Sequence, residues 1–261
     1  MRARSGFVSS FLALPGAVVA LGVATSSAGA GITISDPAVV IQASSSLGSG
    51  QVVIPLASGV FDAVANTFRF NGSFNITSDT DQVIGQATVQ SLVFSDAGLS
   101  LIFGVTAGSA DTMFSIATPD ISFGPLSPLE GRASGSVTVT DTDGNGATLT
   151  GAIGQGDVYR WAFNGPAASG GGTTFDTQVA GPIVADSFSS ITLSENFPGG
   201  GAFAAFGAPV SSISGLVNFT LSAGDIASGT GVFVTRVPSP GSLGLVAAAG
   251  AALAVRRRRL A

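Results

Sequence analysis

Apolar and polar residues alternate along most of the interior of this chain, and that period of two constrains its fold more than any other feature. Phe68, Phe70, Phe74 and Ile76 are interleaved with Arg69, Asn71, Ser73 and Asn75. Leu99, Leu101, Phe103 and Val105 share one face of a second run, and Val137 and Val139 alternate with Thr138 and Thr140. Ala147, Leu149 and Ile153 recur against Thr148 and Thr150, and Val217, Phe219 and Leu221 against Asn218 and Thr220. Successive side chains of a strand point to opposite faces, so these runs read as strands with one face buried. Turn-forming clusters separate them: Ser78-Asp79-Thr80-Asp81, Asp96-Ala97-Gly98 and Asp141 to Gly146. Many short strands joined by Gly-rich turns predict an all-β body, an antiparallel sandwich or barrel. Of the 18 phenylalanines, all but Phe7 and Phe11 lie in that body. They fill a core without needing hydrogen-bond partners. Gly165 to Thr174 and Phe197 to Gly207 read as surface loops rather than linkers, so residues 31–236 form one domain.

Composition removes whole classes of chemistry. The chain has no Cys and no His, and all 10 of its basic residues are arginine. Thiol nucleophiles, imidazole bases, Schiff-base lysines and His/Cys metal sites are thereby excluded, as is disulfide stapling. Between Gly31 and Arg236, four arginines face 15 acids, a formal charge of −11. A nucleic-acid binder needs a basic stripe, and this body has none. Paired carboxylates remain as a catalytic option. Glu130 and Glu195 are the only glutamates, the aspartates fall mostly in turns, and no pair stands out. The body is therefore expected to be non-catalytic.

Two local motifs carry candidate chemistry. Asp141-Thr142-Asp143-Gly144-Asn145-Gly146 matches the first half of an EF-hand loop, with Asp141, Asp143 and Asn145 offering oxygens to calcium. The twelfth position, where a bidentate Glu belongs, is Ala152, and the flanks alternate like strands. The competing reading is a hairpin turn in which Asp and Asn bond their own backbone and glycine takes a positive φ. Asp157 to Phe163 holds the only Tyr and the only Trp. Tyr159 and Trp161 share a strand face that either contacts carbohydrate or belongs to the core.

Both ends of the chain differ from the body. Arg2 and Arg4 precede an apolar stretch from Phe11 to Ala24, followed by Ala28-Gly29-Ala30. Residues 1–30 thus have the layout of a secretory signal peptide, removed near Ala28 or Ala30. At the other end, residues 241–255 are apolar and run into Arg256, Arg257, Arg258 and Arg259. A helix of that length spans about 22 Å, short of the ~30 Å hydrocarbon core. The arginines are a stop-transfer and positive-inside signal that keeps this end cytoplasmic and the body outside. A lipid-anchor signal would end in its apolar tail, which this chain does not.

Residues 237–261 resemble the PEP-CTERM sorting signal, which exosortase reads in bacteria that make extracellular polysaccharide. Val237, Pro238 and Pro240 match the family's V-P-E-P motif, with Ser239 in place of the glutamate. The apolar helix at 241–255 and the basic stop at 256–259 complete the pattern. The resemblance implies export, an inner-membrane intermediate held by the C-terminal helix, processing by an exosortase-like protease, and delivery to the cell surface or matrix. Extracellular polysaccharide is the partner it implies. The alternative for the body is a calcium-assisted carbohydrate-binding or adhesive sandwich, and a third reading is a carboxylate-based polysaccharide hydrolase. No cofactor other than calcium is expected.

Overall fold

The computed structural model describes residues 25–28, 32–62, 64, 67–95 and 98–238. In chain order its strands are β1 (Thr25–Ala28), β2 (Ile32–Ser35), β3 (Val39–Ser45), β4 (Gly48–Ile54), β5 (Val60–Asp62), β6 (Thr67–Thr77), β7 (Val83–Ser95), β8 (Gly98–Ala107), β9 (Thr112–Ala117) and β10 (Ile121–Leu126). There follow β11 (Glu130–Thr140), β12 (Ala147–Gly151), β13 (Asp157–Phe163), β14 (Thr173–Ala180), β15 (Ile183–Ala185), β16 (Ser190–Phe197), β17 (Ala204–Ala205), β18 (Val210–Leu221) and β19 (Ile226–Arg236). No α-helix occurs among the described residues, and no helix there is long and apolar enough to cross a membrane.

The strands form two antiparallel sheets, consistent with a sandwich. The first is built around β18, whose twelve residues are longer than its neighbours. Along one edge it pairs with β9 and then β10; along the other it pairs with β12 and then β13. Each of these pairs is one long strand interrupted by a few residues. The next layer out repeats the pattern, with β2 on β10, β3 on β9, β14 on β13 and β15 on β12. The second sheet has the order β16-β11-β19-β8-β7-β6-β5, and β17 also pairs with β11. Thr25–Ala28, inside the stretch expected to be removed on export, is an edge strand on β2. Its loss would leave β2 paired with β10.

The strands read from alternation fall where expected. Phe68 and Ile76 of β6 are buried, as are Leu99, Leu101, Phe103 and Val105 of β8, Val137 and Val139 of β11, and Phe219 and Leu221 of β18. Gly165 to Gly172 folds back over the outer face of the first sheet, where Ile153, Ala162, Ala167 and Leu216 form a small second cluster. Arg160 fastens this loop by donating to the carbonyls of Ala167 and Gly172 at 3.3 and 3.0 Å. The segment 197–207 does more than the surface loop expected of it: Ala204–Ala205 pairs with β11, and the Phe206 ring packs on Phe175 and Phe233.

A continuous series of rings crosses the space between the sheets. Phe114 meets Phe219, Phe219 meets Phe103, Phe103 meets Tyr159, and Tyr159 stacks on Trp161 at 5.8 Å. Trp161 then meets Phe233, and Phe233 meets Phe175. Such large rings fit because the opposite strands present glycine. A Cβ on Gly229 would lie 2.5 Å from Tyr159 Oη and 2.7 Å from the Phe103 ring. One on Gly231 would lie 2.8 Å from the Trp161 ring, and one on Gly135 would lie 2.7 Å from Tyr159. Gly104, in β8, has no atom within 4 Å of its missing Cβ. Gly229→Ala is therefore expected to lower the urea-unfolding free energy by about 1–3 kcal/mol through overpacking. Gly104→Ala, measured alongside, should stay within about 0.5 kcal/mol of the parent.

Candidate functional site

The registers give the sandwich two distinct poles. Thr140 pairs with Ile226, Ile226 with Thr106, and Leu221 with Thr112, so the turns after β11, β18 and β8 gather at one pole. Glu130 pairs with Arg236, Val234 with Gly98 and Ile34 with Ile121, which defines the other. Asp79, Asp81, Asp111, Asp141, Asp143, Asp186 and Asp225 lie in turns at the first pole. At the second, Arg236 bridges Glu130 at 3.0 Å and lies 3.8 Å from the centre of the Phe203 ring. Arg132 faces the same ring.

At the acidic pole the β11–β12 turn meets the β18–β19 turn. Carboxylate oxygens of Asp141, Asp143 and Asp225 all lie within 4.8 Å of one another. Two of the three residues were expected from the D-x-D-x-N-G motif; Asp225 was not. It comes from Ser222-Ala223-Gly224-Asp225, a turn of ordinary appearance. Asp225 is fully buried. Its Oδ1 accepts the Thr142 amide at 3.2 Å and its Oδ2 accepts the Ser222 hydroxyl. Thr142 Oγ1 donates to the Gly224 carbonyl at 2.6 Å, a second bond between the two turns.

Asp141 is 3% exposed. Its Oδ2 accepts the amide of Phe188, and its Oδ1 is buried and accepts no hydrogen bond of ordinary geometry. Burial pushes this carboxyl up, but the nearby amides, Phe188's first, outweigh it and hold the group below the usual carboxylate range. Phe188 reaches Asp141 by taking a left-handed backbone, φ 51°, while its ring is 74% exposed. A non-glycine residue so placed carries strain that its neighbours must maintain. Asn145 also holds Asp143: its amide Nδ2 donates to Asp143 Oδ2 at 2.8 Å and its backbone N–H to Asp143 Oδ1 at 3.2 Å. The turn therefore has the Asx geometry of the hairpin reading and also brings carboxylates together, two features that the sequence had set in competition.

The other predicted site is overturned. Tyr159 and Trp161 are 0% and 2% exposed, so neither presents a face to a sugar. Both lie in the core, and their polar atoms are used there. Tyr159 Oη donates to the Ser136 carbonyl at 2.7 Å, and Trp161 Nε1 donates to Gln178 Oε1 at 3.0 Å. Gln178, itself fully buried, donates on to the Ala133 carbonyl at 3.2 Å. Burial holds the Tyr159 hydroxyl far above its ordinary ionisation range, so it stays a donor. A surface hollow of about 510 Å³ over β3, β4 and β9 is lined by residues such as Gln42, Ser44, Ser49, Gln51, Met113 and Ser115 and by no carboxylate. Of the sorting residues, Val237 and Pro238 continue from β19 without regular structure, and Val237 is exposed. Ser239, Pro240, the apolar stretch and Arg256 to Arg259 lie outside the described residues, as does most of the signal peptide.

No protein-family model and no curated protein matches this chain. Among solved structures, it is similar to one from broad bean stain virus at 10% identity, with a TM-score of 0.21, covering 91% of this chain and 98% of that one. A structure from the infectious bursal disease virus Gx strain is similar at 12% identity, also with a TM-score of 0.21, covering 78% of this chain and 61% of that one. At such scores these likenesses carry no argument about the chain.

A carboxylate outside the acidic pole contributes to the pH dependence of stability. Asp176 in β14 is pushed up to about 6 from 3.8, first by burial and then by the charges of Glu195 and Asp157. Between those two values the folded chain holds a proton that the unfolded chain has released, so stability falls as pH rises through that window. Asp176→Asn should reduce this slope, with Asp120, which burial also pushes up, retaining its own share, and raise the melting temperature at pH 8 more than at pH 4, read by thermal melts across that range.

Proposed function

We propose that the chain is an exported, non-catalytic protein of the cell surface or extracellular matrix, held at the inner membrane by its C-terminal segment and sorted through it. The observation that carries this reading is the tail itself. Val237-Pro238-Ser239-Pro240 follows β19 directly, and an apolar stretch too short for a comfortable span then meets four arginines. An exosortase-like protease, acting outside the membrane while the arginines hold the chain in it, fits that order of parts. Extracellular polysaccharide is the surrounding that such sorting implies.

The polarity of the fold supports the same reading. β19 ends at Arg236 and β2 enters at Ile32, both at the arginine pole. A tether there leaves the acidic turns facing away from the membrane. An anionic body with no lysine also suits a soluble external surface. Mass spectrometry of the mature protein from its host tests the proposal. The expected C-terminus lies between Arg236 and Pro240, with residues 1–30 absent; a mature chain still ending in Arg256 to Arg259 would overturn sorting by cleavage.

A further inference from the structure

We propose that Asp141, Asp143 and Asp225 bind one calcium ion, which fastens the β11–β12 turn to the β18–β19 turn at the acidic pole. The donor set spans two turns more than 80 residues apart in sequence, so it is a product of the fold rather than of a local motif. Two oxygens bound to one calcium at about 2.3–2.6 Å can be no more than roughly 5 Å apart, and the three carboxylates meet that limit at 4.8 Å. A second observation points to a ligand. Asp141 Oδ1 is buried and accepts no hydrogen bond of ordinary geometry, although the Gly144 and Gly146 amides act on the same carboxylate. A buried carboxylate oxygen left this way is unfavourable unless something positive meets it.

Among the described residues, no cationic side chain is placed to do so. Arg132 and Arg236 sit at the opposite pole, Arg69 pairs with Val93 and Val60 far along the second sheet, and Arg160 is bound to the Ala167 and Gly172 carbonyls. A hard, oxygen-liganded ion is the class that a chain without Cys or His can hold. Calcium suits the site better than magnesium because it accepts irregular sets of carboxylates, carbonyls and waters. Asp225 thereby takes the part that the missing acid at Ala152 would play in an EF-hand. Asp143, exposed at the turn tip, leaves the ion a route in from solvent.

Equilibrium dialysis of the full chain against calcium, with thermal melts in parallel, tests the proposal. One calcium per chain is expected, with a dissociation constant of about 0.1–1 mM, as in other extracellular modules. The melting temperature should rise by about 2–5 °C at saturating calcium. Asp225→Asn and Asp143→Asn should each weaken binding by at least about tenfold. Asp143 is exposed, so its variant keeps the test independent of folding. Asp186→Asn, at the same pole but outside the triad, should stay within about twofold of the parent if a defined site rather than the general acidic field binds the ion. Absence of calcium binding at millimolar concentration overturns the proposal. So does parental affinity in Asp143→Asn or Asp225→Asn, or an equal loss in Asp186→Asn.

Discussion

The two sheets meet where Tyr159 and Trp161 lie over three glycines of β11 and β19. Facing sheets pack about 10 Å apart, which leaves little room for two large rings above ordinary residues. Gly135, Gly229 and Gly231 provide that room, and the rings cover them. With no side chain beneath, the polar atoms of the rings must find backbone or buried amide partners. Tyr159 uses the Ser136 carbonyl, and Trp161 reaches the Ala133 carbonyl through Gln178. These bonds tie β13 and β14 of the first sheet to β11 of the second. They also fix register. A slip of one residue in β19 would put Ser228 and Thr230 beneath the rings in place of Gly229 and Gly231.

That register determines where the acidic turns fall. β11 and β19 pair over the whole of both strands, Glu130 with Arg236 at one end and Thr140 with Ile226 at the other. The residues just beyond Thr140 must therefore lie beside those just before Ile226. Asp141 and Asp143 meet Asp225 for this reason, and the Thr142 and Gly224 bonds close the contact. The packing of the core and the assembly of the carboxylates are two consequences of one alignment.

Much of this was legible in the chain, and the remainder was hidden for a physical reason. Period-two alternation located β6, β8, β11, β12 and β18 because each buries one face, and the D-x-D-x-N-G turn was visible because its chemistry is local. Asp225 was not, since its partners are chosen by strand pairing between segments more than 80 residues apart. Tyr159 and Trp161 stayed ambiguous because a single strand does not say what covers its face. The pair Gly229 and Gly231, on one face of β19, was the available sign that something large packs there. Phe206 was hidden inside a glycine-rich stretch that alternation could not assign, and the ring is held by Phe163, Phe175 and Phe233 instead.

The means by which the carboxylates are held also explains how the fold keeps its charges apart. Asp225 is gripped by the Thr142 amide and the Ser222 hydroxyl, Asp143 by Asn145, and Asp141 by the Phe188 amide. Every one of these donors is neutral, so each orients a carboxylate without cancelling its charge. Phe188 shows how firmly the arrangement is set. Its ring gains little from burial, yet its backbone stays in the left-handed region so that its N–H meets Asp141. At the other pole the opposite rule operates, with Glu130 paired to Arg236 and the guanidinium resting on Phe203. One end is neutralised by its own side chains and leads into the tail. The other holds its carboxylates in place with neutral donors, and no described arginine lies among them.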